Sequence, residues 1–121
     1  MPLSSAEEQL MHHLWKLKRA YLKELIAAIP APKPAKTTVA TLLKRMIDKG
    51  MVGYDLHGNS RQYYPKVSKQ SYFAKKLKGM IDSYFDASPG AFASYFAEST
   101  KLNKAQLQEL QDIINRKLEE E

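Results

Sequence analysis

Thr37, Thr38, Thr41, Lys44 and Arg45 lie close together in the stretch AKTTVATLLKRMIDKG, residues 35 to 50. Their side chains suit DNA. Threonine offers a hydroxyl and a methyl group to base edges in the major groove, and arginine can pair with a guanine edge or a phosphate. Lysine supplies a phosphate contact, which positions a protein without reading sequence. In the same stretch Val39, Leu42, Leu43, Met46 and Ile47 recur at three- and four-residue spacing, the signature of one apolar helix face. A helix docked by that face would present the threonines and cations on the other. An ordinary amphipathic surface helix has the same pattern, so the flanking elements must distinguish the two.

Other chemistry is poorly supplied. His12 and His13 are adjacent rather than four apart, with no carboxylate at ligand spacing, so no metal site is expected. The absence of cysteine excludes a disulfide framework, a thiolate metal site and a thiol nucleophile. No Gly-rich phosphate loop occurs, and Glu7 and Glu8 are accounted for by helix capping. The chain is therefore read as a non-enzyme without a cofactor.

The elements that must position the threonines follow from pattern. Ser4 can cap a first helix, with Glu7 three residues on completing a capping box. Leu10, Met11, Leu14 and Trp15 form its apolar stripe. Lys18-Arg19-Ala20 is long enough only for a brief edge strand. A second helix starts at Tyr21 and turns Leu22, Leu25, Ile26 and Ile29 inward until Pro30, Pro32 and Pro34 stop it. The resulting link is short and stiff. After the third helix Gly50 is a C-cap candidate. Two β-rich runs then flank the turn residues His57-Gly58-Asn59-Ser60, which predicts a hairpin with Arg61 near its tip. Pro65 ends the second strand. Three helices and a hairpin make a winged helix-turn-helix.

Residues 66 to 121 read as helical throughout. Phe73, Leu77, Met80, Ile81, Tyr84 and Phe85 form one stripe, and Ser88-Pro89-Gly90 is expected to break it. Phe92, Tyr95 and Phe96 mark a short second segment. Asn103 and Gln106 cap a last helix carrying Leu107, Leu110, Ile113, Ile114 and Leu118. Three helices of this size bury such side chains poorly alone. A second copy of the chain would cover them, with Phe73, Leu77, Ile81, Tyr84, Leu107, Leu110 and Ile114 at the seam; packing back on the N-terminal part is the alternative.

Charge follows the same division. The 121 residues carry a net charge of +6. Residues 1 to 70 hold 12 Lys and Arg against 5 Asp and Glu, and residues 71 to 121 hold 7 against 8. A basic module joined to a neutral, apolar one suggests polyanion binding in the first and assembly in the second. No apolar run approaches a membrane span and no signal peptide is evident, so a cytoplasmic protein without direct membrane binding is expected. The fold class is mainly α: a winged helix-turn-helix over residues 1–67 and a three-helix dimerisation domain over 68–121.

The ordered set of segments resembles the penicillinase-repressor (BlaI/MecI-type) family of bacterial transcriptional regulators. Carrying residues are Leu3-Ser4, Ala6-Glu7 and Leu14-Trp15, then Thr38-Val39, Thr41-Leu42-Leu43-Lys44-Arg45-Met46, Lys49-Gly50-Met51-Val52 and Tyr63-Tyr64-Pro65. Phe96-Ala97, Leu102-Asn103 and Leu107 with Leu110 extend the likeness to the C-terminal part. The resemblance implies a homodimeric repressor on an inverted-repeat operator, often controlling antibiotic-resistance genes. It also implies release through a membrane sensor-protease, with cleavage matching Tyr95–Phe96. Here Tyr precedes that bond, where well-known members carry a small amide side chain.

On this reading Thr37, Thr38 and Thr41 face the bases, Arg45 meets either a guanine edge or a phosphate, and Lys36, Lys44 and Arg61 are phosphate contacts. Lys18, Arg19 and the amides near Ser4 and Ser5 are further phosphate candidates. Two rivals share the composition: a winged helix that binds an acidic protein partner, and an architectural DNA binder indifferent to sequence.

Overall fold

The computed structural model describes residues 2–121. The chain divides into two compact units, Met1–Ala74 and Lys75–Glu121. The first comprises α1 (Ser5–Leu17), β1 (Ala20–Tyr21), α2 (Leu22–Ala28), α3 (Lys36–Asp48), β2 (Val52–His57), β3 (Ser60–Pro65) and the start of α4 (Lys69–Tyr84). The second holds the rest of α4, then α5 (Pro89–Ser99) and α6 (Lys104–Glu120). The architecture is a winged helix-turn-helix followed by a helical unit.

Each helix of the first unit buries the stripe its spacing dictates. Leu10, Met11 and Leu14 of α1, Leu25 of α2, and Val39, Leu43 and Met46 of α3 meet in one core with Ala20, Val52 and Tyr63. Leu22, Ile26, Ile29, Leu42 and Ile47 pack around it. The capping box at the start of α1 forms as expected, with the Ser4 amide donating to Glu7 Oε1 at 2.8 Å and the Glu7 amide to Ser4 Oγ at 3.2 Å. Gly50 ends α3 at φ 75°. Its amide donates to the Ile47 carbonyl at 2.9 Å, and the Met51 amide to the Met46 carbonyl at 3.0 Å. These two bonds make a Schellman ending.

The sheet runs β1-β3-β2, antiparallel throughout. The edge strand is Ala20–Tyr21, so Tyr21 lies in β1 and α2 begins one residue later than the sequence suggests. Gly58, at φ 66°, opens a two-residue turn with Asn59 between β2 and β3. Positive φ at the first central position suits the right-handed twist of the flanking strands. Tyr64 lies across Gly53, where any Cβ would come 2.8 Å from its ring. Arg19 also lies over that ring, its guanidinium carbon 4.7 Å from the centroid.

Trp15 fastens the end of the wing to α1, donating from Nε1 to the Val67 carbonyl at 2.8 Å. Its ring also lies 5.8 Å from those of both Tyr72 and Phe73 in the first turns of α4. Tyr72 is buried and donates its hydroxyl to Glu8 Oε2 at 2.8 Å.

In the second unit α4 stops at Tyr84, and Asp86 and Ala87 take positive φ of 52° and 57°. The break between α4 and α5 falls where expected, and Ser88-Pro89-Gly90 forms its far side as the start of α5. Ser88 caps α5 by accepting the Ala91 amide at 3.0 Å, and Pro89 occupies the first turn, where a missing amide hydrogen costs nothing. Asn103 and Gln106 form the expected capping box of α6. Phe85 meets Phe92 and Tyr95, each at 5.5 Å between ring centroids. Among the described residues of 75–121 none is buried, and Leu77, Met80, Tyr84, Leu107, Leu110, Ile113, Ile114 and Leu118 are exposed.

Candidate nucleic-acid interface

The core pins α3 by Val39, Leu43 and Met46, and that fixes what the helix shows to solvent. Lys36, Thr37, Thr38, Thr41, Lys44 and Arg45 are all exposed. At about 100° of rotation per residue, Thr37, Thr41 and Lys44 point away from the buried stripe. Lys36 lies on one edge of this face, and Thr38 and Arg45 on the other. The Thr41 hydroxyl donates to the Thr37 carbonyl at 2.9 Å. Its free capacity toward a base is therefore that of an acceptor and a methyl group.

The two edges open into different concavities. On one side a cleft of about 640 Å³ lies between α2, the start of α3 and the wing, lined by Tyr21, Lys23, Glu24, Lys36, His57 and Arg61 among others. It brings Lys36 and Arg61 together across the fold, as a shared anion-binding surface requires. Lys23 joins them and was not picked out from the sequence; its position on the polar side of α2 was the available signal. Arg61 is held with its guanidinium carbon 4.3 Å from the centroid of the Tyr54 ring, which limits the conformations its head samples. Thr38 instead faces a groove of about 880 Å³ shared with Leu10, His12, Pro32, Val39 and Leu42. It is not grouped with Lys36.

Two secondary phosphate candidates are otherwise engaged. Arg19 NH1 pairs with Asp55 at 2.7 Å, so its charge is largely balanced within the sheet. The Ser4 amide serves Glu7, which removes it as an anion donor.

The third helix is also held at its far end. Glu7 is buried, and its Oε1 lies 2.7 Å from Lys49 Nζ at the C-cap of α3. Burial pushes this carboxyl up, but Lys49 and the amide and hydroxyl of Ser4 outweigh it and hold the group below its ordinary value. His12 is lowered by desolvation first, then by the charges of Lys16, Lys69 and His13. No cluster of three or more His, Asp or Glu suited to a metal occurs among the described residues.

Of the assembly candidates, Phe73 packs beside Tyr72 at 5.1 Å and on Trp15. Ile81 is half-buried, whereas Leu77, Tyr84, Leu107, Leu110 and Ile114 stand exposed. Tyr95 and Phe96 sit in the middle of α5, Tyr95 exposed and Phe96 half-buried. No helix among the described residues is long and apolar enough to cross a membrane.

An exposed Thr- and cation-bearing helix, docked by a helix-turn-helix and flanked by a wing, defines a winged-helix protein of the regulator type. Residues 3–116 match the penicillinase repressor family, and the chain belongs to it. Its class is thus that of the transcriptional repressors rather than the enzymes. The chain is 28% identical over 116 residues to the methicillin resistance regulatory protein MecI of Staphylococcus aureus (strain N315), covering 95% of this chain and 94% of that protein. The protein of the same name from Mammaliicoccus sciuri is 27% identical over the same shares. The penicillinase repressor of Bacillus licheniformis is 25% identical over 122 residues, covering 97% of this chain and 95% of that protein.

Proposed function

We propose that this repressor binds an inverted-repeat DNA operator as a homodimer. Residues 1–67 read the site and residues 68–121 join the two copies. The observation that carries the reading is the exposed Thr37–Thr41–Lys44 face of α3 beside the cleft in which Lys23, Lys36 and Arg61 converge. Thr37, Thr38, Thr41 and Arg45 contact bases, and Lys36, Lys44 and Arg61 hold phosphates on either side. A symmetric dimer then places two such helices on half-sites one helical turn apart, or a multiple of it.

The apolar side chains left exposed on α4 and α6 support the second copy. Leu110, at 37% exposure, and Ile114, at 58%, are adjacent on one face of α6, which suits a seam between chains. The relatives' names, methicillin resistance regulatory protein and penicillinase repressor, support antibiotic-resistance genes as those it controls. The release step implied by the family likeness, cleavage at Tyr95–Phe96 by a membrane sensor-protease, falls inside α5. Proteases act on extended chain, so α5 must unwind before that bond can be cut.

Footprinting on DNA upstream of the chain's own gene tests the proposal. A protected inverted repeat is expected. Absence of protection would favour a protein-binding module, and protection without sequence preference an architectural DNA binder.

A further inference from the structure

The link from α2 to α3 reads Ile29-Pro30-Ala31-Pro32-Lys33-Pro34-Ala35. A helix end leaves carbonyl groups without partners, and following backbone amides commonly supply them. Here three of the following residues are prolines, which have no amide hydrogen. The Ile29 amide reaches the Ile26 carbonyl at 3.2 Å. A side chain supplies the other donors. Lys33 Nζ lies 3.0 Å from the Ile26 carbonyl oxygen, 3.0 Å from that of Ala27 and 2.6 Å from that of Ile29. An ammonium group has three protons and no acceptor, so three carbonyls saturate it. Its charge also sits at the negative end of the helix dipole.

We propose that Lys33 is a positioning residue for DNA recognition: its ammonium ties the proline link to the end of α2 and so fixes where α3 begins. The N-cap of α3, Ala35, follows two residues later and accepts the amides of Thr38 and Val39 at 3.0 and 3.2 Å. Ala35 has no side chain able to cap the helix, so the placement of this first turn depends on the link. Lys36 and Thr37, at the cleft and on the reading face, occupy that turn. Lys33 is exposed, and a lysine beside a reading helix would ordinarily be taken for a phosphate contact. The saturated ammonium assigns it the other task.

This role rests on the DNA-binding reading, and the test keeps the two apart. The full chain is compared with Lys33→Met, which keeps the aliphatic stem, and Lys33→Arg, which keeps charge and donors. Amide hydrogen exchange is measured without DNA, and affinities for the footprinted operator and for random duplex are measured over a salt series. In Lys33→Met the Ile29, Thr38 and Val39 amides should exchange several-fold faster. Operator affinity should fall about tenfold, the scale of a coupling relayed through a positioning group. Random-duplex affinity should fall by less than operator affinity, since Lys36 is the one phosphate contact in the displaced turn, and Lys33→Arg should recover most of the loss. A slope smaller by about 0.9 units with both DNAs equally weakened would make Lys33 a phosphate contact and overturn the proposal. Unchanged amide exchange in Lys33→Met would overturn it whether or not DNA binds. A wild-type chain with no affinity for DNA would instead remove the DNA-binding reading, while the exchange data still report on the tie.

Discussion

Glu7, in the first turn of α1, holds Lys49 at the C-cap of α3 at 2.7 Å, so the two ends of a 42-residue separation in sequence are clamped by one ion pair. Lys49 Nζ also donates to the Pro2 carbonyl at 3.0 Å. Lys49→Met would leave the buried Glu7 carboxylate without its cation. Because Lys49 keeps some exposure, the loss should lie at the low end of the range for broken buried pairs, about 3 kcal/mol. Urea denaturation measures it directly.

The same pair gives the fold a sensitivity to acid. The folded Glu7 carboxyl lies below its ordinary value, so its contribution is present above about pH 4.3 and is lost as pH falls through the lower folded value. Glu7→Gln should be less stable than wild type at neutral pH, and the gap should narrow toward pH 3. A gap independent of pH would show that the carboxylate charge contributes nothing.

Reading and gripping should separate by mutation. Thr41→Ala or Arg45→Ala should lower preference for the operator over random duplex, by about 1–3 kcal/mol where a base contact is lost. Lys44→Ala, Lys36→Ala and Arg61→Ala should weaken both DNAs together and each reduce the salt slope by about 0.9 units. Unchanged slopes in all three lysine and arginine variants would dismiss the phosphate assignments.

Leu110→Asp or Ile114→Asp should dissociate the proposed dimer. Sedimentation should then report monomers, and operator affinity should drop by about two orders of magnitude or more as the second head loses its effective concentration. Variants that still sediment as dimers would place the seam on another face.

Gly50 should tolerate little. A Cβ there meets open space, so crowding is not the objection, but its φ of 75° is left-handed. Gly50→Ala should cost about 1 kcal/mol through the backbone alone, visible as a lower melting temperature.

The periodic features of this chain were legible because they are local. Leu10, Met11 and Leu14, or Val39, Leu43 and Met46, announce a buried stripe by spacing, and Asn103 with Gln106 announces a cap. The Gly58–Asn59 turn and the family likeness were equally readable. What escaped depends on side chains meeting across the fold. Arg19 finds Asp55 from 36 residues away, which converts a candidate phosphate contact into a sheet tie. Lys23 enters the wing cleft only once α2 is docked. Ser88-Pro89-Gly90 reads as a stop, yet the same residues start a helix once Asp86 and Ala87 have turned the chain. Lys33 looks like one more cation in a polar link, since nothing in its neighbours' identities reveals three carbonyls waiting at the end of α2.

Trp15 is the chain's single tryptophan. Its indole hydrogen-bonds to the Val67 carbonyl, with Tyr72 and Phe73 beside the ring, so its emission wavelength and quenching depend on the start of α4 staying seated on α1. The molecule thus has a built-in optical gauge at the junction where the wing gives way to the long helix, and it needs no dye. A fluorescence titration with operator DNA, or with any agent that unseats that helix, would follow the event at one known address.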